Sequence, residues 1–443
     1  MSSITRVERE RLTQPLRETG SRFWALFAVS GVVTVAVGLA WLYQLNSGMA
    51  VTSLRDWGTM GGAPWGLYIG TFIWWVGIAH GGIAISASVR LFDLETYLPI
   101  ARVAEVLTLI ALPMAAANIL FDLGRPDVVY WMLVNYPTVI QTSPLAWDMT
   151  AIFLYFTLSA SYLWLTVRGD VYRLREDGTL PETLSPIYDL ILLGYRPGKE
   201  EEKTRQMAWW LAMAVLILVP LLSGGVVPWL YATMGMHPGW FGAAQGPAML
   251  AESLTSAMAA VMIVAAVFRY AYGWDDIIGD DVFWGLNKAL VVLVLATFWF
   301  VLQDIVVGLG PGAPTEEAAI VEAMLWGSVA PVFWTAMVLL GAGFAYLVAA
   351  RLRPELFSVA ASAVAAAAIT VAILLKKTLF VVEGLLHPTR EPMASMFPTG
   401  SYVPSVLEVV IAFGTIGVAV FAFLIVTKII PIIEVEKLEV TKR

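Results

Sequence analysis

Apolar residues fall in long runs along the whole chain, and shorter segments rich in polar residues, Gly and Pro separate these runs. A membrane-spanning helix needs about 20 mostly apolar residues. Read with a window of about 19 residues, the pattern predicts ten such helices, near residues 22–44, 64–90, 102–122, 145–168, 207–231, 248–270, 284–308, 322–350, 355–383 and 405–431. The expected fold class is therefore all-α, a polytopic membrane protein.

The positive charges give these helices a direction. With ten spans, most of the 27 Lys and Arg residues fall on the side of the two termini. The exceptions are Arg55, Arg125 and Arg390 in loops and Lys376 and Lys377 within the ninth helix. Because Lys and Arg are enriched in cytoplasmic loops, both termini are expected in the cytoplasm. The polar start of the chain lacks the apolar core of a secretory signal, so the first helix is expected to be an uncleaved anchor.

A weak internal repeat groups the helices. Residues 143–147 at the start of the fourth helix resemble residues 330–334 in the eighth, and Asp122 near the end of the third helix corresponds to Asp304 near the end of the seventh. Four helices per repeat is an even number, so both repeats would have the same orientation. The repeat predicts two four-helix bundles, helices two to five and six to nine, flanked by helices one and ten, although chance similarity stays the alternative.

This organisation divides the chain into segments. They are a cytoplasmic N-tail (1–21), the first helix with its outer loop (22–63), a first four-helix bundle (64–231), a second four-helix bundle (248–383), the tenth helix (405–431) and a cytoplasmic C-tail (432–443). The outer loops 45–63 and 387–404 are rich in Gly, Pro and Met. We expect them to form a platform for an extracytoplasmic partner.

Composition narrows the chemistry. Hydrophobic residues make up 59% of the chain and charged residues 14%, against about 25% charged in soluble domains, which excludes a large water-soluble catalytic domain. The chain has no cysteine, so it can supply no thiolate for an iron-sulfur cluster, no c-type haem attachment and no disulfide. Of the histidines His80, His237 and His387, only His80 lies in an apolar run, which disfavours haem. Electrons would need a diffusible cofactor or a partner.

Ionisable residues inside the predicted spans are costly and mark functional positions. Most lie in the outer halves of their helices, namely Asp122, Asp148, Glu252, Asp304, Lys376, Lys377, Glu383 and Glu408. Glu105 and Lys288 lie near the cytoplasmic boundary. This bias favours a site near one face that takes protons and electrons from a lipid-soluble carrier. A secondary transporter, which needs a route across the whole membrane, and a purely structural anchor remain the alternatives.

Two local patterns leave more than one interpretation open. Lys376 and Lys377 either pair with the outer carboxylates or extend outward to the interface. His80 lies beside glycines spaced for close helix packing, so it either hydrogen bonds across a tight contact or accepts a proton and binds a quinone carbonyl.

The end of the third helix is expected to be capped. Gly124 suits a left-handed cap, and Arg125 can pair with Asp122, Asp127 or Asp148. Capping and anchoring at the interface is the simpler interpretation of this segment.

The chain resembles the NrfD and polysulfide-reductase family of integral membrane quinol oxidoreductase subunits, especially its ten-helix branch, which includes the membrane subunits of alternative complex III. The resemblance covers about residues 60–435. The matching segments are Phe72 to Gly82, Ala104-Glu105, Asp122 to Pro126, Thr142 to Asp148, and Tyr402 to Glu408. Each segment is weak alone, but their order and spacing are specific.

The resemblance implies a subunit that binds a quinone or quinol, menaquinone or similar, near the outer face of a prokaryotic cell membrane. It implies an iron-sulfur (ferredoxin-like) partner on the extracytoplasmic face and a molybdopterin-type catalytic subunit, with membrane lipids and no nucleic acid as other contacts. The family's quinone-site histidine corresponds to His80, its helix-four carboxylate to Asp148, and a proton-route carboxylate to Glu105.

Together, the residues and the resemblance give a candidate site. His80, Asp148, Asp122 and Arg125 are expected to bind the quinone. Glu105, Glu252, Asp304, Lys376 and Lys377 are expected to transfer protons. The chain departs from the family at Lys376-Lys377-Thr378, where relatives usually carry an Arg-containing segment, and at Glu383. These departures leave the role of the second bundle open between proton movement and structure.

Overall fold

The computed structural model describes residues 10–54, 65–233, 237–240, 242, 244–313, 315–386 and 402–435. Within these residues, ten helices are long and apolar enough to cross a membrane, which confirms the number predicted from the sequence. There is no β-strand among the described residues. Arg55, Arg390 and His387 lie outside this part of the chain, as do residues 55–63 of the first outer loop and 387–401 of the second.

The ten long helices are numbered in chain order. They are α1 (Ser21–Ser47), α2 (Leu67–Leu91), α3 (Leu98–Leu123), α4 (Pro144–Glu176), α5 (Lys199–Leu221), α6 (Gln245–Tyr272), α7 (Asp280–Gly308), α8 (Ala330–Leu352), α9 (Val359–Leu386) and α10 (Val406–Val426). Helix α5 continues through a π-helical turn, Leu222–Val226, into Val227–Ala232. Short helices connect the long ones at Gln14–Arg17, Asp127–Val134, Tyr136–Thr142, Ser185–Leu192 and Thr315–Trp326.

Two predicted boundaries were wrong. The eighth helix, expected over 322–350, is divided into the short helix Thr315–Trp326 and α8. Pro331 has no amide N–H, and in a helix interior its ring would clash with the carbonyl four residues earlier. It is therefore tolerated in the first turn of α8, where it lies, but not within one continuous helix. The long loop expected between the fourth and fifth helices is much shorter, because α4 and α5 extend as helices through their charged ends.

Helix contacts follow the chain in two groups. The first helix group is α2 to α5: each helix packs on the next, and α5 also packs on α2. The second helix group is α6 to α9, in which each helix packs on the next and α9 also packs on α6. The groups meet through α2, α6 and α9, while α1 packs on α10, and α10 on α3. The division into two four-helix bundles stays a prediction, but this neighbour order is the one that it requires.

Helix α2 lies at the centre of these contacts. In its apolar window 89% of the residues are buried, against 11% in α1. Small residues allow helix backbones to approach closely within a membrane. Gly77 and Gly81 pack on Ser253 and Ala257 of α6, and Gly82 packs on α3. Most side chains of α2, including that of His80, are therefore placed between other helices.

Candidate functional site

Chain direction defines two ends of the molecule. At one end, here the Asp122 end, α3 and α7 finish and α4 and α6 begin. At the other, the Arg102 end, α2 finishes and α3 begins. Apart from His80, the buried residues of the described chain that carry a carboxyl, ammonium or guanidinium group lie toward one or the other of these ends.

His80 is buried in the middle of α2. It is 3% exposed and lies about 20 Å along the axis from Leu67, where the helix begins. Its Nδ1 is hydrogen bonded to the hydroxyl of Ser223. The Tyr155 ring of α4 meets the imidazole edge to face, with centroids 4.6 Å apart, and its hydroxyl donates to the His80 carbonyl oxygen at 3.4 Å. The imidazole orientation is therefore fixed from two sides.

Ser223 was not singled out from the sequence. It lies in the π-helical turn of α5, and π-turns inside α-helices frequently occur at functional sites. Pro220, just before the turn, has no amide N–H to donate, and Gly224 allows close approach to Gly246 of α6. A proline followed by two glycines within one apolar span was the available signal.

Asp148 is buried one turn into α4. Its side chain is 2% exposed, and neither carboxylate oxygen has a hydrogen-bond partner. Tyr231 lies within electrostatic range of Asp148 and Asp122, and its hydroxyl is also buried without a partner. A buried polar group without a partner is costly, so these two side chains mark a place where a polar ligand or water would be stabilised.

A polar stripe on α4 connects this place with His80. Asp148, Tyr155 and Tyr162 are seven residues apart, all at most 2% exposed, and residues at this spacing share one helix face. Tyr155 contacts His80, so Asp148 lies about 10 Å further toward the Asp122 end. That separation is comparable to the length of a para-quinone ring hydrogen bonded at both carbonyls.

The structure places Arg125 away from these buried groups. It is 76% exposed and pairs with Asp127 at 2.7 Å, and this partner lowers the pKa of the Asp127 carboxyl. Asp122 itself is 4% exposed. Gly124 has φ of +66° and caps α3 in the left-handed conformation, as the sequence predicts. Of its three possible carboxylate partners, Arg125 therefore contacts the exposed one, Asp127.

The two lysines of α9 both contact one carboxylate of α6. Lys376 Nζ is 2.6 Å from Glu252 Oε1, and Lys377 Nζ is 2.5 Å from Glu252 Oε2. The side chains of Lys376, Lys377 and Glu252 are 18%, 1% and 4% exposed. Pairing with an outer carboxylate is therefore the observed arrangement, rather than extension to the interface. This cluster of two lysines and one glutamate lies where α6 and α9 pack on α2.

A cavity of about 900 Å³ opens within the second helix group. Its polar lining residues are Gln245, Gln303, Asp304, Glu317, Lys376 and Glu383, and its apolar lining includes Val301, Val307, Ile320, Val321, Met324, Phe333, Leu379 and Phe380. Neither His80 nor Asp148 lines it. The cavity and the His80 region are thus separate places, and the sequence did not indicate the cavity.

Glu105 belongs to a buried polar network at the Arg102 end. It accepts hydrogen bonds from Ser86 at 2.5 Å and Thr166 at 3.0 Å. Arg102 pairs with Asp170 at 2.5 Å, both about 1% exposed. These contacts join α2, α3 and α4.

The segment after α10 completes this network. Glu434 pairs with Arg90 at 2.9 Å, and Arg90 also donates to Tyr162 at 2.7 Å. The sequence had placed residue 434 in a solvated tail. The arginines of α2 and α3 are stabilised there instead by a buried C-terminal segment.

Glu408 has a structural role at the start of α10. Its carboxylate accepts from the amide of Ser53 and from the hydroxyl of Tyr402 at 2.8 and 2.5 Å, and it forms a capping box with Ser405. Burial and the neighbouring Glu408 carboxylate raise the pKa of Tyr402. The phenol therefore stays neutral. It donates to Glu408 and accepts from the amide of Leu67 at 2.9 Å, which connects α10 to the start of α2.

Comparison with known proteins agrees with this architecture. The polysulphide reductase, NrfD family profile matches residues 57–387. A putative dimethyl sulfoxide reductase membrane subunit of Halobacterium salinarum is 30% identical over 232 residues, which are 52% of this chain and 48% of that protein. A selenate reductase subunit of Mesobacillus selenatarsenatis is 21% identical over 423 residues, 93% of this chain and 95% of that protein.

The family match extends over most of the chain and includes all the helices from α2 to α9. The alignment with the halobacterial relative spans about half the length of that protein, whereas the alignment with the second relative is nearly complete. With its ten helices of membrane-spanning length, this multi-pass membrane protein belongs to the polysulphide reductase NrfD family.

Proposed function

We propose that the chain is the membrane anchor and quinone-reactive subunit of a respiratory oxidoreductase complex. The observation that carries this proposal is Asp148, a carboxylate 2% exposed whose two oxygens have no partner within the described chain. It shares a helix face with Tyr155, which contacts His80. A quinone supplies two-electron redox chemistry when bound, and the protein supplies orientation and proton handling.

The residues fit a quinone head group. Because Ser223 engages His80 Nδ1, Nε2 is the ring nitrogen that remains for a ligand. A neutral imidazole nitrogen can accept a proton from a quinol hydroxyl or donate to a quinone carbonyl, and the Asp148 carboxylate can accept the second hydroxyl proton. Tyr231 and Asp122 are placed to close the Asp122 end of such a site, and Arg125, being exposed, would act only at its rim.

Proton transfer is assigned to the buried carboxylates away from the head group. Glu105 would exchange protons within the network at the Arg102 end, to which the polar stripe of α4 leads through Tyr162. Glu252, Asp304, Lys376 and Lys377 would do so in the second helix group. The ion pairs of Glu252 with Lys376 and Lys377 keep these charges inside the protein and away from lipid.

The partners follow from the relatives. The two similar proteins are named as subunits of dimethyl sulfoxide and selenate reductases, so we infer that this chain also works within a multi-subunit reductase. Its partners would be an iron-sulfur subunit at the Asp122 end and a molybdopterin-type catalytic subunit beyond it. By the distribution of Lys and Arg, the Asp122 end would be extracytoplasmic in a prokaryotic cell membrane, with both termini cytoplasmic.

Replacement of His80 or Asp148 tests the proposal. In the purified complex, His80→Ala and Asp148→Asn should each lower quinol-dependent turnover by about 100-fold or more, the usual scale for loss of acid-base catalysis. Assembly with the partners should be unchanged, as judged by co-purification.

Asp127→Asn is the matched control. This aspartate lies at the same end of the molecule but is 63% exposed, so turnover should match that of the unaltered complex. Unchanged quinol kinetics in both the His80 and Asp148 variants would overturn the proposed site.

A further inference from the structure

We propose that the cavity of the second helix group binds an amphiphile whose polar end donates hydrogen bonds, at a site separate from the one beside His80. Size and lining support a ligand rather than water alone. The volume of about 900 Å³ lies in the range of small-molecule sites, which are mostly apolar with a few placed polar groups. Of the 23 lining residues, eight are Val, Ile, Leu, Met or Phe, nine are Gly, Ala or Pro, and six are polar. Most of the lining side chains therefore offer no hydrogen bond to water, which needs several polar partners.

The polar groups of the cavity specify the head group. Asp304, Glu317 and Glu383 line it, and a carboxyl group keeps acceptor oxygens whether or not it is ionised. The Oε1 atom of Glu383 is buried without a partner. Lys376, the cation in the lining, is already paired with Glu252 at 2.6 Å. The site therefore favours a hydroxyl or ammonium donor and disfavours an anionic head group.

The rim of the cavity reaches the outside of the helix group. Val307 lines the cavity and is also 64% exposed. Leu302 and Val306 of α7 are also exposed, and exposed apolar side chains of a spanning helix contact lipid chains. A ligand with a hydrocarbon tail can thus place its polar end at Glu383 and leave the tail toward the membrane.

Two membrane amphiphiles share this donor chemistry, a hydroquinone and an aminophospholipid. The test uses decylhydroquinone with a photoreactive diazirine on its tail, kept reduced, and its dimethyl ether, which keeps the ring and tail but has no hydroxyl donor. Both probes are cross-linked to the purified complex in detergent, and labelled peptides are identified by mass spectrometry. Short-chain phosphatidylethanolamine and phosphatidylcholine serve as competitors.

The hydroquinone probe should label residues 315–326 or 376–383 about tenfold more than the ether does, as expected for the gain of one hydrogen bond. Glu383→Leu should remove this preference, and Glu383→Gln, which keeps an acceptor oxygen, should restore part of it. Glu322→Leu is the control. Glu322 is exposed on the short helix Thr315–Trp326, which contributes to the cavity, but Glu322 itself does not line the cavity.

Competition by the two lipids distinguishes an aminophospholipid from a hydroquinone as the ligand of the cavity. Displacement by phosphatidylethanolamine but not phosphatidylcholine indicates an aminolipid, and displacement by neither indicates a quinol. Equal labelling by both hydroquinone and ether, equal competition by both lipids, or no labelling of these segments would each overturn the proposal. His80→Ala should leave this labelling intact, so failure at the cavity and failure at the His80 site are distinguishable.

Discussion

At the scale of single residues, function in this protein depends on buried polar atoms and on which of them have partners. Arg102, Asp170 and Glu252 are buried but paired, which is how interior charges are stabilised. The Asp148 oxygens and the Tyr231 hydroxyl are buried without hydrogen-bond partners. Their desolvation is not compensated within the described chain, and under the proposed function the head group of a quinone would compensate it.

Ser223 gives a prediction at this scale. Ser223→Ala removes the hydroxyl bonded to His80 Nδ1 and leaves the imidazole free to turn. A neutral hydrogen bond contributes about 0.5–1.5 kcal/mol, so we expect quinol turnover to fall by about three- to tenfold. Ser223→Thr, which keeps a hydroxyl, should restore most of it.

The control for that measurement is Ser159→Ala in α4. Ser159 is fully buried and its hydroxyl has no partner, so its loss removes no bond to the site. A fall in turnover as large as that of Ser223→Ala would show that the effect is general packing damage.

At the scale of helices, close packing holds the site together. Gly81 of α2 is so near α6 that an added Cβ atom would lie 2.2 Å from the Cβ of Ala257. Neither atom is the flexible end of a side chain, so one helix must move. The glycines around His80 therefore set the distance between the first and second helix groups.

Gly81→Ala should consequently destabilise the protein. Overpacking usually costs about 1–3 kcal/mol, and we expect a lower thermal unfolding midpoint in detergent. Gly38→Ala in α1 is the matched control, because a Cβ there meets no atom within 4 Å and Ala is the better helix former. A midpoint for Gly81→Ala equal to that of Gly38→Ala would contradict the tight contact.

At the scale of the whole molecule, orientation in the membrane is open to direct measurement. The chain has no cysteine, so each introduced cysteine is its only thiol. Thr138, at the Asp122 end, and Thr183, between α4 and α5, are both exposed. A membrane-impermeant maleimide applied to intact cells should label Thr138→Cys and spare Thr183→Cys until the cells are lysed. The opposite labelling would place the termini outside.

The sequence by itself determined the number of spanning helices, the all-α class and the capped end of α3. Those features depend on local properties, namely the length of apolar runs and the conformational freedom of Gly124. For Lys376 and Lys377 it left two interpretations open, pairing with an outer carboxylate or extension to the interface.

Only the tertiary structure decided which carboxylate those lysines use, that Arg125 pairs at the surface, and that Ser223 holds His80. It alone revealed the buried position of Glu434 and the cavity of the second helix group. Except for Arg125 and Asp127, which are two positions apart, the paired residues are 68 to 344 positions apart. Hydropathy along one segment carries no information about its neighbours in space. Helix rotation and side-chain packing select each partner, so such contacts follow from the assembled fold.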